Sequence, residues 1–299
     1  MLRNFMQLRL ISFLSLLAYG AMAHAQIQLN AGLGFTNYSG DLGGSFGADN
    51  PAFSELNLKS TKTAVQFGIK GFLTPSIALR GQLFAGRVAG DDANTENVER
   101  MNRNLNFFSP IYGAGVGVEW NFKIGSNAFR RFGLSAGVEY FTFNPKTTYQ
   151  GNVVELQPLG TEGQYYMNDR LPYSLNATSL VLGFSYQFLV LPRAGLALEF
   201  QSKYTNTDYL DDVSTTYVDK TALATSNGQI AADLSDRNLG ILPGSAAPGA
   251  IRGNPNSKDT YGFLMITWSY WLGDKRNFKT ASSGSGNGIG GNKRRCFNF

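Results

Sequence analysis

The stretch from Thr205 to Asp219 reads TNTDYLDDVSTTYVD and brings together four carboxylates, Asp208, Asp211, Asp212 and Asp219. Side chains of this kind could hold a hard cation, work as an acid and base pair, or order a loop. A calcium loop of the helix–loop–helix type alternates its ligands around a central glycine and closes with a distal glutamate. Asp208-x-x-Asp211-Asp212 has neither feature, so no metal is assigned; a loop-bound divalent cation is the alternative. No nucleophile or substrate pocket is nominated beside the run, which argues against paired-carboxylate catalysis. The remaining reading is structural. Asp208 is expected to cap a helical turn starting at Tyr209, with Asp211 favouring the same end. Asp212 and Asp219 are expected to pair with Arg237, Arg252 or Lys220.

The scarcity of histidine limits the chemistry further. The sequence has a single histidine, His24. It falls in an N-terminal segment that reads as a secretory signal: Arg3 and Arg9, an apolar run from Leu10 to Ala23, then Ala23-His24-Ala25 ahead of Gln26. With residues 1–25 removed, no histidine remains for a Ser-His-Asp triad, a His-ligated zinc or a His general base. No catalytic residue, metal ligand or cofactor site is assigned, and the expectation is a protein that is not an enzyme. One cysteine, Cys296, leaves no disulfide within the chain.

Charge is uneven along the sequence. Setting aside Arg3 and Arg9, the 26 basic residues become 24 against 21 acidic ones. The segment 273–299 holds six of those bases and only Asp274 to oppose them, so the rest of the chain is slightly acidic. No nucleic-acid-binding face is expected.

These residues must be positioned by extended elements. Period-two alternation marks eight segments at 26–36, 62–73, 76–87, 111–123, 131–143, 177–190, 194–206 and 259–272. Each is long enough to cross a bilayer as a tilted strand. Segments two and three, four and five, and six and seven are joined by short links. The other connections run to roughly 25, 23, 33 and 52 residues, the short–long rhythm of an outer-membrane barrel. Aromatics at strand ends, Phe72, Trp120, Phe122, Phe141, Phe143, Phe188, Trp268, Tyr270 and Trp271, are expected to form interface girdles.

In 111–123 the large apolar residues Tyr112, Val116, Val118 and Trp120 alternate with Gly113, Gly115, Gly117, Glu119, Asn121 and Lys123. Glycine and charge on the second face suit a narrow lumen, which eight strands leave just wide enough for side chains to fill. The predicted inward ions are Lys70, Arg80, Lys123 and Lys203, with Glu119, Glu139 and Glu199 as partners. Buried together they read as an ionic plug; a selectivity filter or proton path is the alternative.

The loops carry a resemblance. Its elements are Tyr38-Ser39-Gly40-Asp41-Leu42, Arg103-Asn104-Leu105-Asn106-Phe107, IYGAGVGVEWNF (111–122), Phe143-Asn144-Pro145, LQPLGTEGQ (156–164) and Pro172-Tyr173. They continue through TDYLDDVSTTYVD (207–219), Leu234-Ser235-Asp236-Arg237 and Arg252-Gly253-Asn254. In this order the chain resembles the PorG-like outer-membrane barrel family of Bacteroidetes, whose named member is a component of type IX secretion. The resemblance implies a non-enzymatic envelope protein that associates with periplasmic secretion-ring proteins.

The expected organisation is a signal peptide (1–25), an all-β eight-stranded antiparallel outer-membrane barrel (26–272) and a flexible basic tail (273–299), with both termini in the periplasm. Outer-membrane lipid and lipopolysaccharide would surround it. Lys293, Arg294, Arg295, Cys296, Phe297 and Phe299 at the end of the Gly/Ser-rich tail are the candidate partner-docking residues. A surface adhesin or ligand-binding barrel working through its loops, or a small channel, are the alternative functions.

Overall fold

The computed structural model describes residues 26–42, 60–95, 97–123, 131–191 and 193–272. The expected signal segment and tail, including Lys293 to Phe299, lie outside the described residues, as does the Lys123 side chain. Strands β1 (Gln26–Ser39), β2 (Lys62–Phe72), β3 (Ile77–Asp91), β4 (Asn106–Lys123) and β5 (Arg131–Phe143) run consecutively. They are followed by a small hairpin, β6 (Lys146–Tyr149) and β7 (Asn152–Glu155), and then by β8 (Asn176–Val190), β9 (Ala194–Thr205) and β10 (Thr260–Trp271). Among the described residues, three short α-helices, α1 (Val98–Arg103), α2 (Lys220–Asn227) and α3 (Gln229–Ser235), lie in the long connections.

The barrel closes. Antiparallel pairing runs through β3, β2, β1, β10, β9, β8, β5 and β4, and β4 returns to β3. The closing seam runs from Ile77 opposite Trp120 to Asp91 opposite Asn106. Closure removes the edges of the eight barrel strands, so none of them is left with an unpaired row of amides and carbonyls.

The wall sorts its residues by parity. Leu33, Phe67, Leu83, Val116, Val138, Leu180, Leu198 and Ile266, one on each barrel strand, are exposed to the exterior. The alternate positions turn inward and are polar or small along most of the lumen. An apolar belt around the whole circumference is far beyond the apolar patches of a soluble monomer, whereas a bilayer would cover it. Gly115 shows why glycine lines the inside: a Cβ there would collide with Glu139 Cγ.

Four of the expected girdle residues are placed differently. Phe141 and Phe143 share parity with Glu139 and are buried in the lumen, while Tyr140 faces out. Phe72 and Trp271 are also interior and pack together at 4.9 Å between ring centroids. Trp120, Phe122, Phe188 and Trp268 face outward. Gly113 leaves room for Phe84 and Phe141, both of which a Cβ there would strike.

Candidate functional site

Two buried polar regions stand out, one inside the lumen and one above it among the long loops. In the lumen, Lys70 Nζ lies 2.6 Å from Glu119 Oε2, and Arg80 Nη1 is 3.3 Å from the same oxygen. Arg80 also donates from Nη2 to Glu199 Oε1 at 2.5 Å and to Gln82 Oε1 at 2.7 Å. Lys203 Nζ donates to both oxygens of Glu139, at 2.5 and 2.7 Å. Gln82 donates to Glu139, and Gln201 donates to Glu199 at 2.8 Å and to Gln66 at 3.1 Å. The ions are thus tied into one amide-bridged network, the arrangement that lets charge persist at low dielectric.

Toward the long-loop end the network meets a rosette of rings. Phe84, Phe141, Phe143, Tyr261 and Phe263 are buried there. Lys203 Nζ sits 4.2 Å from the Phe84 centroid and 4.4 Å from that of Phe263, so its charge is met by Glu139 and by two π faces. Inside the barrel, the cavity between Lys70 and Trp271 has a volume of about 30 Å³, on the scale of a water or two.

Above the rosette the long connections fold into an ordered cap. Arg103 grips Asp92 with two bonds, Nε to Oδ2 at 2.7 Å and Nη2 to Oδ1 at 2.9 Å. The same guanidinium donates to the carbonyls of Arg252 at 2.5 Å and Asp41 at 2.6 Å. Arg252 donates to Glu162 Oε1 at 2.9 Å and to the Asp212 carbonyl at 2.6 Å. Glu162 also accepts from the backbone amides of Ser214 and Thr215, at 3.0 and 3.1 Å, and from the Thr215 hydroxyl at 2.7 Å. Two arginines therefore join all four long connections.

The acidic run lies at the centre of this cap, but not as a helix cap. No helix starts at Tyr209, and Asp212 takes a left-handed φ of 69° that a helical turn would not allow. Asp208 instead accepts from the Ser214 hydroxyl at 2.7 Å. Asp211 accepts from the Leu42 amide at 3.1 Å and the Val213 amide at 2.9 Å. Asp212 accepts from Thr161 Oγ1 and Tyr173 Oη, both at 2.5 Å, and its carboxylate comes within only 3.8 Å of Arg252. Asp219 is the residue that caps a helix, accepting from the Ala222 amide at 2.7 Å at the start of α2. Arg237 bonds Asn106 and Lys220 approaches Asp236, so neither holds the run. Asp211 and Asp212 draw donors from other parts of the chain, Leu42, Thr161 and Tyr173, while Asp208 and Asp219 are met within their own connection.

Tyr38 adds a constraint on protons. Its hydroxyl oxygen is 2.7 Å from Asp211 Oδ2 and 2.6 Å from Asp259 Oδ1. One phenolic proton serves one of these contacts, so the other closes when one carboxyl carries its own proton. Burial raises the pKa of both acids well above the carboxylate range, reinforced by Asp41 near Asp211 and by Asp211 near Asp259. Burial also pushes Asp208 up to about 7 and Asp212 to about 6. Gly40 makes room for this group, since a Cβ there would collide with Tyr38 Oη. Among the described residues, no group of three or more His, Cys, Asp or Glu is arranged to hold a metal ion.

The sequence singled out Asp208, Asp211, Asp212 and Asp219, but gave no role to Asp41, Asp92, Arg103, Glu162 or Asp259. Three of these five, Asp41, Arg103 and Glu162, lie in motifs of the family resemblance, which was the available signal. Asp92 and Asp259 carried none.

Fold and interior define a class: a closed, eight-stranded antiparallel barrel of the outer-membrane type, apolar outside and sealed by ion pairs within. No family model matches the chain, and no curated protein matches it in sequence. Solved structures that align with it include Ail, the attachment invasion locus protein of Yersinia pestis, at 9% identity over 83% of this chain and 99% of that one, with a TM-score of 0.38. Neisserial surface protein A aligns at 10% identity over 82% and 96%, TM-score 0.36. A major outer membrane protein from Thermus thermophilus aligns at 14% identity over 83% and 99%, TM-score 0.36. Similarity at this level carries no weight here; the architecture rests on the chain's own strand pairing.

Proposed function

We propose that the chain is a non-enzymatic, non-conducting barrel of the bacterial outer membrane that serves as an accessory component of type IX protein secretion. In this reading its short turns and both termini face the periplasm, and lipid and lipopolysaccharide surround the wall. The tail 273–299 tethers periplasmic ring proteins through Lys293, Arg294, Arg295, Cys296, Phe297 and Phe299. The observation that carries the non-conducting part is the lumen, filled by paired ions and a ring of aromatics. The secretion part draws its support from the loop motifs that resemble the PorG-like family. Their residues Asp41, Arg103, Glu162, Asp211, Asp212 and Arg252 meet in one buried network.

Deleting Ala281–Phe299 tests the tether. The expected result is loss of co-purification with periplasmic ring proteins and reduced secretion, with the barrel still folded in the membrane. Unchanged association, together with normal secretion in a strain lacking the protein, would refute the assignment.

A second reading, a surface adhesin, has one observation in its favour. The ordered cap displays exposed apolar side chains, Leu171 and Ile251 among them. Shaving the loops while secretion persists would favour it.

A further inference from the structure

Tyr38, Asp211 and Asp259 join three distant parts of the chain. Tyr38 lies at the end of β1, Asp211 belongs to the acidic run, and Asp259 immediately precedes β10. All three are buried. The two carboxyls are not equivalent. Both oxygens of Asp211 accept backbone amides, Oδ2 from Leu42 at 3.1 Å and Oδ1 from Val213 at 2.9 Å. A proton on either would weaken an accepted bond. Asp259 accepts a backbone amide on Oδ2 alone, from Leu210 at 2.9 Å. Its Oδ1 meets only the Tyr38 hydroxyl, at 2.6 Å. A hydroxyl has one proton to give, and Tyr38 Oη also lies 2.7 Å from Asp211 Oδ2. The extra proton that closes both contacts therefore fits Asp259 Oδ1 and neither oxygen of Asp211.

The charged surroundings favour one proton here. Asp41 and Asp208 face Asp211, and Asp208 and Asp211 face Asp259. Glu162 faces Asp41 and Asp208 from the third long connection. Of the bases, Arg103 faces Asp211 but is bound to Asp92. Arg100 faces Asp41, Lys258 faces Asp208, and Arg252 is bound to Glu162. Among the described residues, no basic side chain bonds either Asp211 or Asp259; their partners are Tyr38 and three backbone amides. Two ionised carboxyls would face one phenol with no cation bonded to either, a costly arrangement away from water.

We propose that these three side chains form a one-proton clasp, in which Asp259 Oδ1–H donates to Tyr38 Oη and Tyr38 Oη–H donates to Asp211 Oδ2. The clasp fastens the acidic run to the end of β1 and the start of β10. It opens when base removes the Asp259 proton, because Tyr38 can then donate to only one of the two carboxylates. The other contact becomes a repulsion between lone pairs. A proton held by the folded state stabilises it at low pH and is lost as pH rises, so the clasp is closed on the acid side and released on the alkaline side.

The test compares D259N with D211N in the full mature chain folded in lipid, with amide exchange at Leu42 and Leu210 read by NMR and corrected for intrinsic rates. D259N sets an N–H where the acid O–H stood and keeps an oxygen for the Leu210 amide, so protection on the acid side should match wild type. D211N must turn its NH2 group toward the Leu42 or the Val213 amide. It should speed exchange at Leu42 by about tenfold or more, the scale of one lost hydrogen bond to a charged acceptor. As pH rises, wild-type protection at both amides should fall further than that of D259N. Infrared difference spectra at neutral pH should show a carboxylic-acid C=O stretch that wild type carries and D259N lacks. Heat-dependent mobility on gels checks that each barrel is folded. Equal damage from the two variants, superimposable pH curves for wild type and D259N, or no acid band in the difference spectrum would each overturn the proposal.

Discussion

The lumen and the cap solve the same problem, charge buried away from water, by opposite means. In the lumen the ions are matched in sign: Glu119, Glu139 and Glu199 each contact a lysine or arginine. In the cap, seven buried carboxylates, Asp41, Asp92, Glu162, Asp208, Asp211, Asp212 and Asp259, share two buried arginines, Arg103 and Arg252. The excess is absorbed by backbone amides, by hydroxyls of Tyr38, Thr161, Tyr173 and Ser214, and by protons retained on the acids. Ion pairing sets each lumen carboxylate against a basic side chain. Hydrogen bonding and shared protons give a cap whose order depends on pH.

The sharpest way to break this contrast is to remove one member of the tightest lumen pair. Lys203→Met leaves Glu139 buried and uncompensated and should cost about 3–5 kcal/mol. Urea unfolding of the refolded barrel in lipid measures it. The double change Lys203→Met with Glu139→Gln should recover much of the loss, because no charge is then left alone.

Arg252→Met is the corresponding change in the cap. It strips Glu162 and the Asp212 carbonyl of a donor. The expected loss is about 2–4 kcal/mol, confined to the loops. Limited proteolysis should cut within 206–259 while the barrel keeps its heat-dependent gel mobility. Collapse of both together would show that cap and barrel are one cooperative unit. A milder probe is Gly40→Ala, which forces a methyl against Tyr38 and Asp259 and should cost about 1–3 kcal/mol by overpacking.

The smallest effect is also the most specific. A carboxyl whose pKa is raised by folding contributes stability that is complete below its ordinary pKa and is lost as pH rises through the folded value. For Asp212 and Asp208 those folded values are about 6 and about 7. Amide-exchange protection in the cap, corrected for intrinsic rates, should therefore fall between about pH 4, near the ordinary carboxyl value, and about pH 7. Asp208→Asn should remove the upper part of that fall. A cap whose protection is flat across this range would contradict shared protons.

Much of the barrel was legible in the sequence because a strand's period of two is a local property. The eight expected segments coincide with β1, β2, β3, β4, β5, β8, β9 and β10 within a few residues at most ends. β3 and β4 run further toward the loops than expected, to Asp91 and back to Asn106, because they pair with each other there. The β6–β7 hairpin was not expected. Its strands are short and its turn is Gln150-Gly151, with Gln150 at a φ of 50°, which is not one of the usual hairpin signals. Phe141, Phe143, Phe72 and Trp271 were read as girdle residues by type, although parity with Glu139 and Ser269 already placed Phe141, Phe143 and Trp271 inside.

The cap was hardly legible. Its carboxylates come from segments as far apart as Asp41 and Asp259, and only barrel closure brings those loops over one lumen. An acidic run can be recognised from spacing, but its distant donors cannot, because Leu42, Thr161 and Tyr173 are supplied by other connections.

The central claim is that paired ions and aromatic rings close the lumen. Planar-bilayer recording of the purified, folded chain tests it most directly. The account predicts no steady unitary conductance for wild type and its appearance when the rosette is opened by Phe84→Ala with Phe263→Ala. Steady conductance of the wild-type barrel at neutral pH would contradict it.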